Sequence, residues 1–157
     1  TADCPVLDIK VAEMVINFYV KNQKKFDYVS NVRPPTFPDG LDVEVFSFKA
    51  LEKSFKEAKL KSEREHVTPY FANHPEIFRI GNVKRKEGDL SALRLTLDEE
   101  RDLILLRKIY NNLYSQKKFF GLNDILKLFK QKPELLKINQ GIQRNEGLLK
   151  SLREDKK

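Results

Sequence analysis

A turn written into the middle of the chain constrains everything around it. Pro38-Asp39-Gly40 stands between two apolar runs. Proline presets φ, aspartate bonds back to its own backbone, and glycine supplies a positive φ. Leu41-Asp42-Val43-Glu44-Val45-Phe46 follows with the two-residue period of a strand. That period puts Asp42 and Glu44 on one face and Val43 and Val45 on the other, toward a core. Ser47 is placed to cap a helix whose Leu51, Phe55 and Ala58 share a face. Ser62-Glu63-Arg64-Glu65 has the capping-box spacing, and Pro69 should bend or shorten the helix it opens. Glu63, Arg64, Glu65 and His66 crowd that first turn. They read either as a capped surface helix or as one wall of a polar pocket, with Asp42 and Glu44 on the strand and Arg64 and His66 beside it, suited to a hydroxyl-rich or carboxylated substrate.

Composition narrows the class. A chain of 157 residues can bury a real core as one domain. Hydrophobic content of 40% with 34% charged residues fits a soluble globular protein. No apolar run approaches the ~20 residues of a membrane span, and the first residues carry no basic-then-apolar leader pattern. The single cysteine fits a reducing cytoplasm, and one Cys with two His does not make a zinc site. The net charge of +7 comes from Lys and Arg interleaved with Asp and Glu, as in Leu51-Glu52-Lys53-Ser54-Phe55-Lys56-Glu57. It reads as a solvated surface; Val83-Lys84-Arg85-Lys86 is too short to be a nucleic-acid stripe.

In chain order, Thr1-Ala2-Asp3-Cys4-Pro5 reads as a strand end breaking into a loop. Asp8 is placed to cap a helix bearing Val11, Met14, Val15 and Phe18 on one face. Phe26–Asn31, Phe78–Val83 and Leu93–Leu97 read as strands, and residues 32–38 and 84–91 as loops. Asp98 would cap the strongest helix, with Leu103, Leu106, Ile109, Tyr110 and Leu113 in register. Asn123 opens a helix with Ile125, Leu126 and Phe129, and Pro133 suits the first turn of a short one. Helices alternating with short strands predict an α/β layered domain. Asp3 and Asp98 each follow a predicted strand, where open α/β sheets bind ligands. Either acid there caps a helix or holds a hard cation such as Mg²⁺.

These pieces together resemble a known family. Thr1-Ala2-Asp3-Cys4-Pro5, Tyr28-Val29-Ser30-Asn31, Pro38 to Phe46, Glu63-Arg64-Glu65-His66-Val67-Thr68-Pro69-Tyr70, Arg94 to Asp98 and Asn145 to Leu152 are similar to the C-terminal two-thirds of sugar-activating cytidylyltransferases. The spore-coat polysaccharide type resembles it most, related to acylneuraminate and deoxyoctulosonate cytidylyltransferases. The family usually has Gly at the position of Ala2 and Pro or a small residue near Glu100. The resemblance implies a three-layer nucleotidyltransferase fold, of the nucleotide-diphospho-sugar transferase type, with a mixed sheet. It implies that Asp3 binds Mg²⁺ with help from Asp98, and that the central stretch lines the sugar site.

The family's opening strand and its Gly-containing basic loop, which grip the nucleotide triphosphate, have no counterpart here. The chain is therefore expected to lack the nucleotide-binding half. Residues 1–115 would form the acceptor-sugar half and residues 116–157 a helical extension. The intact enzyme would take CTP and a sugar, a nonulosonic acid among the candidates, and release pyrophosphate for glycan or surface polysaccharide synthesis. In that reading Asp39, Asp42, Glu44, Arg64, Glu65 and His66 contact the sugar, with His66 also a candidate general base. A carboxylated sugar needs a cationic partner, for which Arg64 is the nominee. The chain alone would be inactive, with uncovered apolar surface and a tendency to associate; a homo-oligomer is left open. A non-catalytic scaffold built on the same fold is the alternative.

Overall fold

The computed structural model describes residues 2–66, 68–144 and 151–155. Most of the tail that resembles the family's C-terminal end lies outside them. Helix α1 spans Ile9–Asn22 and is capped by Asp8, whose Oδ1 accepts from Lys10 N at 2.7 Å. Val11 and Val15 face inward as the periodicity predicts, whereas Met14 is largely exposed. The second oxygen of Asp8 accepts from Leu122 N at 2.7 Å, at the start of helix α6, Leu122–Gln131. One carboxylate thus satisfies backbone donors at two helix N-termini that face each other. Gly121 makes room for it: a Cβ there would lie 2.4 Å from Asp8 Oδ2.

The sheet is small and mixed. Strands β1 (Tyr28–Ser30), β2 (Glu44–Phe46) and β3 (Ile80–Asn82) lie in the order β2-β1-β3, with β2 antiparallel and β3 parallel to β1. Val29 stands opposite Val45 and Gly81. As the alternation predicts, Val43 and Val45 pack with Val29 and with Val15 of α1. Tyr28 on the other face joins Phe71 and Phe78, their rings 5.0–5.1 Å apart in successive contacts. Helix α2 (Phe48–Glu57) is capped by Ser47, which accepts from Ala50 N at 3.0 Å. Its buried positions are Ala50 and Ser54, followed by Ala58 just beyond its end, rather than Leu51 and Phe55. The small residues let the helix lie close to the aromatic cluster, and Phe55 points outward, 69% exposed.

Three other local expectations change. The Ser62 capping box does not form: helix α3 spans Lys61–Glu65 with Leu60 at its cap, and Ser62 is buried inside it. Pro69 does break the helix, opening a separate α4, Pro69–Asn73. Residues 93–97 are extended but form no strand of the sheet. They run beside the Pro38 turn instead, with Asp39 N bonded to Leu93 O at 2.9 Å and Leu95 N to Asp39 O at 2.7 Å. Ala2 and Asp3 lie in a turn, and Asp3 O accepts from Leu97 N at 2.8 Å. Gly40, at φ +91°, closes the turn, and a Cβ on it would stand 2.6 Å from the Leu95 carbonyl carbon. Only glycine permits that approach.

Helix α5 (Glu100–Leu113) packs on α6, and a 3₁₀ turn at Pro133–Lys137 follows α6 and packs against it. Their Leu105, Leu106, Ile109, Ile125, Phe129 and Leu135 share one core with Val11, Phe37, Leu41 and Leu95. Residues on both sides of position 115 therefore build the same apolar layer.

The doubled cap at Asp8 has a measurable weight. Each lost cap costs about 1 kcal/mol, so Asp8→Ala should lower the urea unfolding free energy by about 2 kcal/mol or more. A loss under about 0.5 kcal/mol would show that neither helix needs the carboxylate.

Candidate active site

The polar heart of the molecule is built where residues 93–98 cross the Pro38 turn. Arg94 sits there with its side chain 8% exposed. Its Nη1 donates to Asp39 Oδ2 at 3.0 Å, and its Nη2 to Asp98 Oδ2 at 2.6 Å and Asp102 Oδ2 at 2.9 Å. Nε donates to Asp102 Oδ1 at 3.0 Å. The planar, permanently charged guanidinium suits such a junction because its donors are fixed in a fork. Asp102, 0% exposed, also accepts from Asn139 Nδ2 at 2.8 Å and from Glu99 N at 3.0 Å. Burial alone would raise the Asp102 pKa; Arg94, Asn139 and the backbone donors outweigh it and hold it below the ordinary value.

Asp102 consequently closes the first turn of α5, the task that the sequence reading gave to Asp98. Glu99 is the cap residue. Asp98 is left as the exposed edge of the network, its side chain 53% accessible. Thr96 Oγ1 lies 3.0 Å from Asp3 O and 3.5 Å from Asp98 Oδ2, so the two segments carrying the expected metal acids meet at one hydroxyl.

A second arginine extends the network toward β2. Arg144 donates from Nη2 to Asp42 Oδ1 and from Nη1 to Phe37 O at 3.2 Å, while its Nε stands 3.7 Å from Asp39 Oδ1. Asp39, Asp42 and Asp98 are thereby joined through two guanidiniums. Burial raises both Asp39 and Asp42, and the Arg144 charge opposes it in each case. For Asp42 the net effect carries the pKa to about 6.

Glu44 belongs to an adjoining cluster. It accepts from the Tyr28 hydroxyl and from Thr68 Oγ1, the latter at 3.0 Å. Thr68 brings the segment after α3 to this end of the sheet, but the charged side chains of that segment are placed differently. Glu65 accepts from Ser151 Oγ at 3.0 Å, and His66 Nε2 lies 3.1 Å from the same oxygen. Arg64 packs over Phe55, 5.4 Å from the ring centroid, and donates to Phe55 O. Asp42, Glu44, Arg64 and His66 are thus not brought into one cluster.

Arg94 and Arg144 were the residues that the sequence reading missed as site members. Their acidic partners lie up to 102 positions away. Arg94 did carry a signal, standing with Thr96 on the polar side of an otherwise apolar alternation, Leu93-Arg94-Leu95-Thr96-Leu97.

At the Asp3–Asp98 junction the contacts run through the Asp3 backbone carbonyl, which accepts from Leu97 N and Thr96 Oγ1. Mg²⁺ takes one or two carboxylates, with phosphate and water completing its shell. Among the described residues no group of three or more His, Cys, Asp or Glu forms a closed metal site. Leu93, Arg94, Asn139 and Ile142 line a hollow of about 250 Å³ beside the network, and the acids lie outside it.

The Asp42 value predicts a residue-resolved titration. Its folded pKa lies above the unfolded one, so the folded state binds the extra proton. Asp42 therefore opposes folding increasingly as pH rises through the window between the ordinary carboxylate value and about 6. Carboxyl ¹³C NMR should place its midpoint near 6, and Arg144→Met should move it higher. A midpoint at the ordinary aspartate value in both proteins would contradict the burial and pairing described.

No family model matches the chain. It is 34% identical over 151 residues to an uncharacterized protein of Methanocaldococcus jannaschii, covering 90% of the chain and 56% of that protein. It superposes on the structure of a cytidylyltransferase from Leptospira borgpetersenii serovar Hardjo-bovis with a TM-score of 0.82 and 30% identity. That match covers 92% of this chain and 59% of the other. The chain thus spans little more than half the length of each. Its α/β fold with a small mixed sheet is similar to the fold of that cytidylyltransferase.

Proposed function

We infer that this chain is the acceptor-side part of a Mg²⁺-dependent cytidylyltransferase that activates a sugar. The observation that carries the inference is the likeness to the Leptospira enzyme over nearly the whole chain, at an identity high enough to exceed shared fold alone. The spore-coat polysaccharide branch is the specific type proposed, acting in glycan or surface polysaccharide synthesis. In the reaction, a sugar oxygen attacks the α-phosphorus of CTP. The bond between the α-phosphorus and the bridging oxygen breaks, pyrophosphate departs, and the attacking hydroxyl loses its proton to solvent or a nearby base.

Asp3 and Asp98 are the residues proposed to hold Mg²⁺, which would neutralise charge on the phosphates. Arg94 and Thr96 fix Asp98 from behind, leaving its outer edge toward solvent. Asp42 and Glu44 are proposed to orient sugar hydroxyls, with Asp39 holding the turn that carries them. Glu65 and His66 meet at the Ser151 hydroxyl, apart from this set, and His66 is retained only as a candidate base. Arg64, packed outward on Phe55, is omitted from it.

The remaining length of the relatives is proposed to supply the nucleotide site. The outer face of α1 supports this: Ile9, Ile16 and Val20 are 67%, 45% and 55% exposed at helical spacing. A cytoplasmic setting, and self-association of the isolated chain through this face, belong to the same reading.

The test is pyrophosphate release by the longer protein with CTP, Mg²⁺ and a panel of sugars. Asp98→Asn and Asp3→Asn should each lower the rate by about a hundredfold or more, the scale of losing an electrostatic stabiliser. The 157-residue chain alone should release none. No release by the longer protein with any acceptor would favour a non-catalytic scaffold, and full activity of both variants would remove the metal assignment.

A further inference from the structure

The net charge of the chain is concentrated in one stretch. Residues 101–137, which hold most of α5, all of α6 and the 3₁₀ turn, contain nine Lys and Arg against three Asp and Glu. They carry six of the seven net positive charges, and the rest of the chain is nearly balanced, 21 against 20. One of the three acids, Asp102, is enclosed with Arg94 and offers nothing to solvent. All nine cations are exposed. Among the described residues, Lys117 alone of the nine forms an ion pair, with Asp124 at 2.7 Å.

The fold sets an apolar point among these cations. Residues 114–121 join α5 to α6, and their two adjacent phenylalanines are placed differently. Phe120 turns inward, its ring 5.1 Å from that of Tyr110 in an edge contact, and packs against the main core. Phe119 is left 84% exposed, more than any other large apolar side chain among the described residues. The link that presents it is anchored on both sides. Lys117 N donates to Leu113 O at 2.8 Å, and Asp124 Oδ2 accepts from both Lys117 Nζ and Gly121 N. Lys118 precedes Phe119 directly, and Lys127 and Lys130 are exposed on α6. Lys132, just past α6, reaches across to Asn112 Oδ1 of α5 at 2.6 Å. Helix dipoles favour cations at the C-terminal turns of α5 and α6. They give no reason for an exposed ring in the link between them.

We propose that this face docks on an anionic phospholipid surface, with Phe119 entering the headgroup boundary and the lysines meeting the lipid phosphates. Peripheral binding of this kind takes two signals, an electrostatic one and an apolar one, and the face supplies both. Lysine stems can lie along the apolar boundary while their ammonium groups stay with the phosphates. A nucleic acid is the less suited polyanion. Seven of the nine cations are lysines, not the fork-shaped arginines that read base edges and phosphates in pairs. Docking through the link leaves Asp98 free, since it lies at the opposite end of α5, about 20 Å along the helix axis.

The chain contains no tryptophan, so Phe119→Trp supplies a single reporter. In the full chain that indole should shift to shorter wavelength with phosphatidylcholine vesicles containing phosphatidylglycerol. Brominated acyl chains in those vesicles should quench it. Vesicles of phosphatidylcholine alone should bind about tenfold more weakly or worse, and added salt should release the protein. Flotation with the anionic vesicles should weaken by about tenfold in Phe119→Ser, the scale of withdrawing an aromatic ring from an apolar environment. Lys118→Gln, Lys127→Gln and Lys130→Gln combined should weaken it by about a hundredfold, at about fivefold for each cation. Arginine at the same three positions should keep it. These side chains are all exposed, and circular dichroism reports that each variant is folded.

The proposal is overturned if the indole does not respond to the anionic vesicles or if neutral vesicles bind as well. Tighter binding to duplex DNA, with Phe119→Ser indifferent, would make the face a nucleic-acid surface and overturn it. So would self-association that Phe119→Ser abolishes, in place of vesicle binding. The longer protein must float as well. If only the 157-residue chain does, the remaining length covers this face and the proposal falls. None of these readouts depends on nucleotidyl transfer, so membrane docking and the cytidylyltransferase reading stand or fall separately.

Discussion

The arrangement depends first on the ion pair between Arg94 and Asp102. Both side chains are almost fully withdrawn from water. Removing two charges from solvent costs several kcal/mol each, recovered only when geometry is good and the remaining lone pairs are filled. Here they are filled: Asp102 accepts from Arg94, Asn139 and two backbone N–H groups. One carboxylate thereby starts α5, anchors the turn at Asn139 and holds the guanidinium in place. The remaining donors of Arg94 then determine where Asp39 and Asp98 stand.

That dependence explains why two acids with similar sequence contexts have different tasks. Asp98 and Asp102 both lie at the start of α5, and both contact Arg94. Asp102 is enclosed and structural. Asp98 faces solvent at the junction with Asp3, the place proposed for the cation. A rigid buried partner behind an accessible carboxylate is the arrangement that a preorganised site requires, because the acid need not be reorganised when charge accumulates in front of it.

Much of the fold was legible because it is local. The caps at Asp8 and Ser47, the turn at Gly40 and the inward faces of Val43 and Val45 are decided by residues within a few positions of one another. The misreadings share a cause. Residues 93–97 alternate like a strand, yet they bond to the Pro38 turn and to Asp3 instead of to the sheet. Ser62 has the spacing of a cap, but it is drawn into the interior beside Glu63, which bonds Asn73. Arg94 and Arg144 reach their acids across long sequence separations. Tertiary context settled each of these, and no local pattern records it.

A double-mutant cycle on Arg94 and Asp102 measures the claim on which the rest stands. Arg94→Met, Asp102→Asn and the double variant would be unfolded in urea alongside the original chain. Each single change should be strongly destabilising, because it leaves its partner buried and unpaired. The double change should cost far less than the sum, with a coupling energy of about 2 kcal/mol or more. Additivity within about 0.5 kcal/mol would mean that the two groups act independently. The acids of the site would then owe their positions to something other than this pair.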